Sequence, residues 1–258
     1  MTPPIFSLEG QVAVVTGGAS GIGKALSLGL AAAGADVVPT SRREAEVAAA
    51  AAEVRALGRR SLSVTSDVTS RASLDALRDV VLGELGKVDI LINCAGRIQR
   101  IPTLETTEEL WNGIMDTNAT GTLRACQAFG PAMLERGYGR IVNIASLNSF
   151  VSFHEVTAYA ASKAAVAALT RSLAVEWSAR GVCVNAIAPG VFRTDFNQKL
   201  LDGTDRGREL LMRTPMKRFG KFEELVGAAV FFSSPAASFV NGQILAVDGG
   251  FLASGVNQ

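Results

Sequence analysis

Short apolar runs recur along the chain, separated by longer stretches that are amphipathic or rich in Ala. Most of the short runs are continuous rather than alternating, and many are rich in Val and Ile. Continuous runs of this kind are typical of strands that are buried on both faces of a parallel sheet. The pattern predicts seven strands, at residues 12–16, 36–40, 62–66, 88–93, 140–145, 182–187 and 243–247.

The stretches between the apolar runs carry helix signals. Gly34 and Gly58 each follow one such stretch and favour its termination, and Ser70 precedes another as a plausible N-cap. Helices are predicted at residues 22–33, 43–57, 70–85, 106–136, 157–179 and 221–232.

Strands that alternate with helices predict one Rossmann-type, doubly wound α/β domain over residues 1–258. It would hold a seven-stranded parallel sheet with helices on both faces. Ligands of such folds bind beyond the carboxyl ends of the strands, so the chemistry is expected in the loops after strands one, four, five and six. A polar, irregular segment at about 191–218 is the expected substrate loop.

The loop after the first strand is glycine-rich, with Gly17, Gly21 and Gly23 between a strand and a helix. Gly17 permits a tight turn, Gly21 lets a pyrophosphate approach the backbone, and Gly23 lets the helix pack on the sheet. The helix N-terminus adds free N–H groups and a positive dipole end. The spacing differs from G-x-G-x-x-G, so dinucleotide binding is predicted by analogy, with an ordinary glycine-rich loop as the alternative.

The end of the second strand discriminates between nicotinamide cofactors. A carboxylate there would bind a ribose 2′-hydroxyl, but this chain has Ser41, Arg42 and Arg43 instead. Guanidinium groups bind a 2′-phosphate, so NADP(H) is preferred and NAD(H) is the alternative. Two features oppose this reading: Ser20 stands where a basic residue would help, and both arginines also suit the start of a solvated helix.

A catalytic constellation is predicted from Ser146, Tyr159 and Lys163. Ser146 ends the fifth predicted strand, and the other two lie four residues apart on one face of a helix. An adjacent ammonium is expected to lower the pKa of the Tyr159 phenol from about 10, which suits a general acid or base. Without the glycine-rich loop, a surface Tyr–Lys pair would be the better interpretation.

Composition excludes several function classes. With 25 basic and 24 acidic residues the net charge is +1, so a nucleic-acid partner is not expected. Three cysteines without a paired motif and one histidine, His154, favour neither a disulfide framework nor a metal site. No signal peptide or membrane-spanning run is evident, which predicts a cytoplasmic protein without a membrane partner.

These motifs together resemble the short-chain dehydrogenase/reductase family along nearly the whole chain. The Thr16–Gly23 loop matches its cofactor loop, Asn118 matches the fourth member of its active-site tetrad, and Cys94 departs from its Asn-Asn-Ala-Gly motif. By this resemblance the cofactor is bound by Gly17, Ser20, Gly21, Ile22, Ser41, Arg42, Arg43, Asp67, Val68, Asn93, Ala95, Gly96, Tyr159, Lys163, Pro189, Gly190 and Thr194.

The family implies a mechanism and an assembly. Hydride moves between the nicotinamide C4 and a carbonyl carbon, Tyr159 transfers the proton, and Ser146 orients the carbonyl. Lys163 binds the nicotinamide ribose and lowers the Tyr159 pKa, while Asn118 supports a water-linked proton path through Lys163. Family members usually form homotetramers by pairing the helices predicted at 106–136 and 157–179.

The substrate is the least defined feature. Residues 97–102 resemble a segment of gluconate 5-dehydrogenases and 2-deoxygluconate 3-dehydrogenases, and a guanidinium at Arg100 suits a sugar-acid carboxylate. Arg100 is equally consistent with a solvated loop residue, and His154 with packing at a subunit contact instead of a substrate contact. The leading hypothesis is an NADP(H)-linked oxidoreductase of a small carbonyl or alcohol, specifically a sugar acid or polyol. A 3-oxoacyl thioester reductase and a cofactor-binding regulator without turnover are the alternatives.

Overall fold

The computed structural model describes residues 4–193 and 198–256. One parallel sheet forms in the order β2-β1-β3-β4-β5-β6, and every neighbouring pair of strands runs parallel. The Rossmann-like architecture is therefore confirmed. The strands are β1 (Val12–Thr16), β2 (Asp36–Thr40), β3 (Ile90–Asn93), β4 (Gly139–Ile144), β5 (Val182–Pro189) and β6 (Ile244–Val247).

The described residues form six strands, so the prediction of seven was wrong at residues 62–66. That segment runs beside β2, where the Val37 amide donates to Arg60 (3.1 Å) and the Ser66 amide donates to Ser41 (3.0 Å). Between these two bonds, the residue of β2 facing the segment is Pro39, which has no N–H to donate. A ladder is therefore interrupted at its centre, and the segment remains extended without becoming a strand.

The segment expected to be irregular contains two helices that were not predicted, α7 (Gln198–Leu201) and α8 (Asp205–Arg213), but most of the helices begin and end close to their predicted bounds. Gly34, Gly58 and Gly86 have positive φ values of 111°, 77° and 79° and follow three of them. Ser70 caps the third helix by accepting a hydrogen bond from the Ser73 amide (3.2 Å). The helices are α1 (Gly21–Ala32), α2 (Glu44–Ala56), α3 (Arg71–Leu85), α4 (Glu108–Met115), α5 (Gly121–Arg136), α6 (Thr157–Trp177), α7 (Gln198–Leu201), α8 (Asp205–Arg213) and α9 (Glu223–Ser233).

Helices cover both faces of the sheet, as predicted. Val14 points to a cluster that includes Phe129 of α5 and Trp177 of α6, whereas the next residue, Val15, points to a cluster with Leu26 of α1 and Phe232 of α9. Because both clusters are fully apolar, the central strands are buried on both sides. Among the described helices, none has the length and apolarity needed to cross a membrane.

The segment predicted as one helix at 106–136 is divided by a π-helical turn at Asp116–Thr120, between α4 and α5. The Gly121 amide donates to the Asp116 carbonyl, which is the wider spacing of a π turn. Such single turns occur mainly at functional sites. This one contains Asn118, whose side chain is fully buried.

Candidate active site

The carboxyl ends of β1 and β3 meet where the strand order reverses. From β1 the chain continues to β2 on one side, and from β3 it continues to β4 on the other side. A crevice for a ligand therefore opens between the loops that follow β1 and β3. The loops after β1 and β3 touch there through the backbone alone. A Cβ atom on Gly17, whose φ is 67°, would lie 2.8 Å from the Ala95 Cα.

The glycine-rich loop after β1 presents backbone donors at the start of α1. A Cβ on Gly23 would lie 2.0 Å from the Gly17 carbonyl oxygen, so the loop closes only with glycine at that position. Gly21 faces open space, with nothing within 4 Å of an added Cβ. The side chain of Ser20 does not cap α1, and the first turn of α1, which contains Ile22, has no acidic side chain. The N–H groups at the start of α1 are therefore left for an anionic ligand.

The loop after β2 brings its basic residues beside this cradle. Arg43 donates to the Ser20 hydroxyl (3.0 Å) and pairs with Glu46 (2.6 Å), while Arg42 is exposed. Ser41 accepts a hydrogen bond from the Arg43 amide (3.3 Å). Arg43 therefore places a positive charge next to Ser20, a contact that could not be predicted from the sequence.

Asp67 and Val68 lie next to that loop. Burial raises the pKa of the Asp67 carboxyl, but hydrogen bonds from the Thr69 amide and hydroxyl outweigh it and leave the pKa below its usual range. Arg42 lowers it further, which places the two side chains near each other. Val68 is buried and packs close to Gly121 of α5.

Asn93 ends β3, and its side chain points away from the crevice into the protein. Its amide donates to Asn143 on β4 (2.9 Å) and to the Cys126 sulfur (3.3 Å). Asn143 in turn donates to Thr170 of α6 (2.9 Å). The side chain of Asn93 thus joins β3 to β4 and α6, and contact with a cofactor is left to the backbone that follows it.

Tyr159 lies in the first turn of α6, and its pKa runs opposite to the expectation from sequence. Burial raises the pKa of the phenol above its ordinary value, and hydrogen bonding with Ser146 only partly opposes that effect. Lys163 Nζ lies 5.7 Å from the Tyr159 ring centre and donates to the Ile144 carbonyl (2.6 Å). The expectation of a net lowering of the Tyr159 pKa is therefore wrong, because burial outweighs the opposing effects.

Lys163 is itself buried, with 5% of its surface exposed. Burial lowers the pKa of its ammonium from 10.5 to about 8, and the nearby Cys94 acts in the opposite direction. Burial also raises the pKa of the Cys94 thiol, to about 11, so this departure from the family motif is a neutral thiol near pH 7. Lys163 is the charged group of the cluster at neutral pH.

The lowered Lys163 pKa predicts a pH-dependent stability difference. Below pH 8 the lysine is charged in both states, and burial of that charge destabilises the fold. Between about 8 and 10.5 the unfolded chain binds the extra proton, so this penalty is lost as the pH rises and is worth about 3 kcal/mol in total. The free energy of unfolding is measured in urea for wild type and for Lys163→Met. Between about pH 8 and 10.5 that of wild type should rise relative to that of the variant. A difference between the two proteins that is the same at pH 7 and pH 10 would contradict the assignment.

The π turn directs Asn118 into the same cluster. Its carbonyl oxygen accepts from the Arg97 amide (2.8 Å), and its amide donates to the Arg97 carbonyl (2.9 Å) and to the Ser162 hydroxyl (2.9 Å). Ser162 donates to the Tyr159 carbonyl (2.7 Å). Sequence reasoning missed Ser162; its place between Tyr159 and Lys163 was the available signal. The proton path through Asn118 and Lys163 stays a prediction.

Gly96 lies between two members of the tetrad. An added Cβ would approach Asn118 Oδ1 to 3.3 Å and Lys163 Nζ to 3.8 Å. Beyond β5, Gly190 packs against the Asp248 backbone at 2.6 Å from an added Cβ and follows Pro189. Thr194 lies outside the described residues.

The two substrate candidates both contact Glu155. Arg100 Nε lies 2.6 Å from Glu155 Oε2, and His154 Nδ1 lies 3.6 Å from Oε1. The His154 side chain is 79% exposed, so it stands at the rim and not on a closed pocket wall. In the part of the chain that the structure describes, no group of three or more His, Cys, Asp or Glu side chains is placed to hold a metal ion.

The arrangement fits a dinucleotide cofactor. Gly17 and Gly21 leave space where side chains would otherwise stand, the first turn of α1 offers unpaired N–H donors, and two arginines flank the far end. At the near end Tyr159 and Lys163 face the crevice edge with Ser146. A nicotinamide placed between these groups would meet a proton donor and a buried ammonium.

Comparisons with known proteins agree with this geometry. Residues 17–252 match the family described as Enoyl-(Acyl carrier protein) reductase. The chain is 43% identical over 255 residues to the 2-dehydro-3-deoxy-D-gluconate 5-dehydrogenase of Escherichia coli, covering 96% of this chain and 98% of that protein. It is 41% identical over 255 residues to the gluconate 5-dehydrogenase of Gluconobacter oxydans, covering 98% of both chains.

A solved structure shares the whole fold. The crystal structure of a gluconate 5-dehydrogenase from Burkholderia cenocepacia in complex with NADP and tartrate superposes with a TM-score of 0.94. That protein is 38% identical in sequence, and the match covers 97% of this chain and 98% of the other. The family match, the relatives and the shared fold lead to one conclusion: this chain belongs to the short-chain dehydrogenase/reductase family.

Proposed function

We propose that this protein is an NADP(H)-dependent oxidoreductase that interconverts a carbonyl and a secondary alcohol on a sugar acid or related polyol. The observation that carries the proposal is the cluster of Ser146, Tyr159 and Lys163 at the crevice edge, beside a glycine cradle shaped for a dinucleotide. The names of the relatives support the substrate class, since they act on gluconate or a dehydro-deoxy-gluconate.

The chemistry divides between cofactor and chain. NADPH, held by the glycine-rich loop and the two arginines, would supply the hydride for the carbonyl carbon. Tyr159 donates its phenolic proton to the carbonyl oxygen, and a raised pKa keeps that proton in place at neutral pH. Ser146 hydrogen-bonds the same oxygen and orients it. The buried Lys163 ammonium, close to the ring of Tyr159, stabilises the phenolate that forms once the proton has left.

The preference for NADP(H) is assigned to Arg42 and Arg43. We expect Arg42→Ala and Arg43→Ala each to raise the KM for NADPH by about tenfold or more, because a charge-assisted hydrogen bond is worth about 1.5–3 kcal/mol. The KM for NADH should change little, since that cofactor has no 2′-phosphate. Steady-state kinetics with both cofactors measure the effect.

Arg180→Ala is the matched control, because Arg180 is also exposed but lies at the other end of β5, far along the chain from the cradle. A wild-type preference for NADH, or an equal loss with both cofactors in the arginine variants, would contradict the assignment.

A 3-oxoacyl thioester reductase uses the same tetrad and is the second candidate. The family description over residues 17–252 names an enoyl-(acyl carrier protein) reductase, which supports an acyl group on a carrier protein as substrate but not its 3-oxo group. A regulator without turnover is the third alternative, and an intact cluster of Ser146, Tyr159 and Lys163 argues against it. One panel separates all three: NADPH absorbance is followed with keto-gluconates, acetoacetyl thioesters and simple diketones.

Turnover of a keto-gluconate well above the other carbonyls supports the proposal. Faster turnover of the thioester favours the second candidate. Cofactor binding without turnover of any compound in the panel would favour the third alternative, a regulator without turnover.

A homotetramer is proposed from the family resemblance and from exposed apolar positions on α6. Ala164, Ala168 and Val175 lie on one exposed face of that helix, whereas Ala167 packs into its own domain and Ala160 is half-buried. Light scattering coupled to gel filtration is expected to give four times the chain mass of 26.9 kDa. A monomer under those conditions would contradict the proposal.

A further inference from the structure

Arg206 of α8 is a partly buried guanidinium without a counter-ion. In the described ranges, Arg59, Arg78 and Arg124 are also partly buried, and each forms an ion pair with a carboxylate. No described carboxylate lies within ion-pairing distance of Arg206. An unpaired charge that is partly removed from water is unfavourable, and an anionic ligand would neutralise it.

Arg206 lies near Arg100 and Glu155, the ion pair described above. Burial lowers its pKa, the Arg100 charge lowers it further, and Glu155 and Glu209 act in the opposite direction. The group therefore lies near Arg100 and Glu155, which pair with each other at 2.6 Å. The three side chains come from separate parts of the chain: α8, the loop after β3 and the turn before α6.

The fold holds these segments against the reacting groups. Leu201 of α7 and Leu210 of α8 pack with Leu147, which directly follows Ser146. Glu155 precedes Tyr159 by four residues and lies two residues before the start of α6. The Ile101 amide donates to the Glu155 carbonyl (2.8 Å) and fixes the loop that carries Arg100. These contacts place the cluster next to the segments that carry Ser146 and Tyr159.

The charge and the backbone geometry of the cluster suit one carboxylate. Two guanidinium groups and the carboxylate of Glu155 leave one net positive charge among the three. Glu209, the other carboxylate that acts on Arg206, pairs with Arg213 (3.4 Å). Glu155 itself has φ 65°, in the left-handed region that non-glycine residues rarely adopt and that is concentrated at binding sites. Glu155 pairs with Arg100 and forms no ion pair with Arg206.

We propose that Arg206, together with Arg100, binds the carboxylate of the substrate and so determines specificity for a sugar acid over a neutral sugar. The inference rests on the proposed function, because it names the group by which that site recognises its substrate. Guanidinium groups bind carboxylates through paired hydrogen bonds, which gives both affinity and orientation.

The test compares Arg206→Gln with wild type on two substrates that differ in charge. The KM for 5-keto-D-gluconate is expected to rise about tenfold or more, while the KM for the neutral ketose D-fructose and for NADPH stays unchanged. Arg206→Lys should recover part of the loss, since it restores the charge without the paired donors. Arg213→Gln is the matched control, because Arg213 lies on the same helix but is exposed and pairs with Glu209.

The outcomes separate this inference from the proposed function. An unchanged KM for the keto acid in folded Arg206→Gln overturns the inference, and so does an equal rise for the neutral ketose, which indicates packing. Inhibition by D-gluconate is measured in parallel, with whichever carbonyl compound the wild type reduces. Failure of wild type to turn over sugar acids contradicts the proposed function alone, whereas equal inhibition of both proteins by D-gluconate overturns the carboxylate site.

Discussion

Tyr159→Phe is expected to reduce turnover by about 10²–10⁴-fold, the range typical of a lost general acid. The substitution removes only the hydroxyl, so the buried ring still packs in the first turn of α6. NADPH binding should therefore change little. Stopped-flow measurement of hydride transfer, together with fluorescence titration of NADPH, separates the two effects.

Tyr138→Phe provides the matched control, since the chain has only two tyrosines. Tyr138 lies just before β4, at the opposite edge of the sheet, with its ring 4.7 Å from the Arg140 guanidinium. Its variant should keep wild-type turnover. Full activity of Tyr159→Phe would remove Tyr159 from the mechanism.

Gly23→Ala is expected to weaken NADPH binding by about a hundredfold or more. Its Cβ would lie 2.0 Å from the Gly17 carbonyl oxygen, so the loop must move and carry its backbone donors away from the phosphates. Two charge-assisted hydrogen bonds lost at about 1.5–3 kcal/mol each account for that magnitude. Overpacking also destabilises the fold by about 1–3 kcal/mol. Isothermal titration calorimetry and thermal unfolding measure the two consequences.

Gly83→Ala on α3 is the control for that substitution. Nothing lies within 4 Å of a Cβ there, and its φ is not positive. Alanine at this position should stabilise the helix by about 0.5–1 kcal/mol and leave NADPH binding unchanged. A Gly23→Ala protein that binds NADPH as tightly as wild type would contradict the cradle geometry.

Much of the fold was predictable because buried parallel strands leave a clear pattern of continuous apolar runs. The failure at 62–66 has a specific cause: the pattern within the segment was correct, but its neighbour in β2 carries Pro39 where a donor is required. Pairing depends on the partner strand, and local sequence does not contain that information. The same applies to the π turn at Asn118, whose side chain is held by the Arg97 backbone and by Ser162.

The site was predictable in its residues more than in its electrostatics. The spacing of Tyr159 and Lys163 placed them on one helix face, but the sign of the Tyr159 pKa shift depends on burial, which spacing does not report. Arg206 could not be singled out either. It lies in a polar segment rich in charges, and only the fold shows that it lies near Arg100 and Glu155 while the other charged side chains of α8 are exposed.

Transfer of deuterium from NADPH that carries deuterium at both C4 positions tests the central claim most directly. Wild-type protein is mixed with labelled NADPH and 5-keto-D-gluconate, and the product is analysed by mass spectrometry and NMR. We expect one deuterium in each product molecule, bound to the carbon that bore the carbonyl, and almost no product with Tyr159→Phe. Absence of reduced sugar acid, or product whose new C–H hydrogen comes from solvent, would contradict the claim.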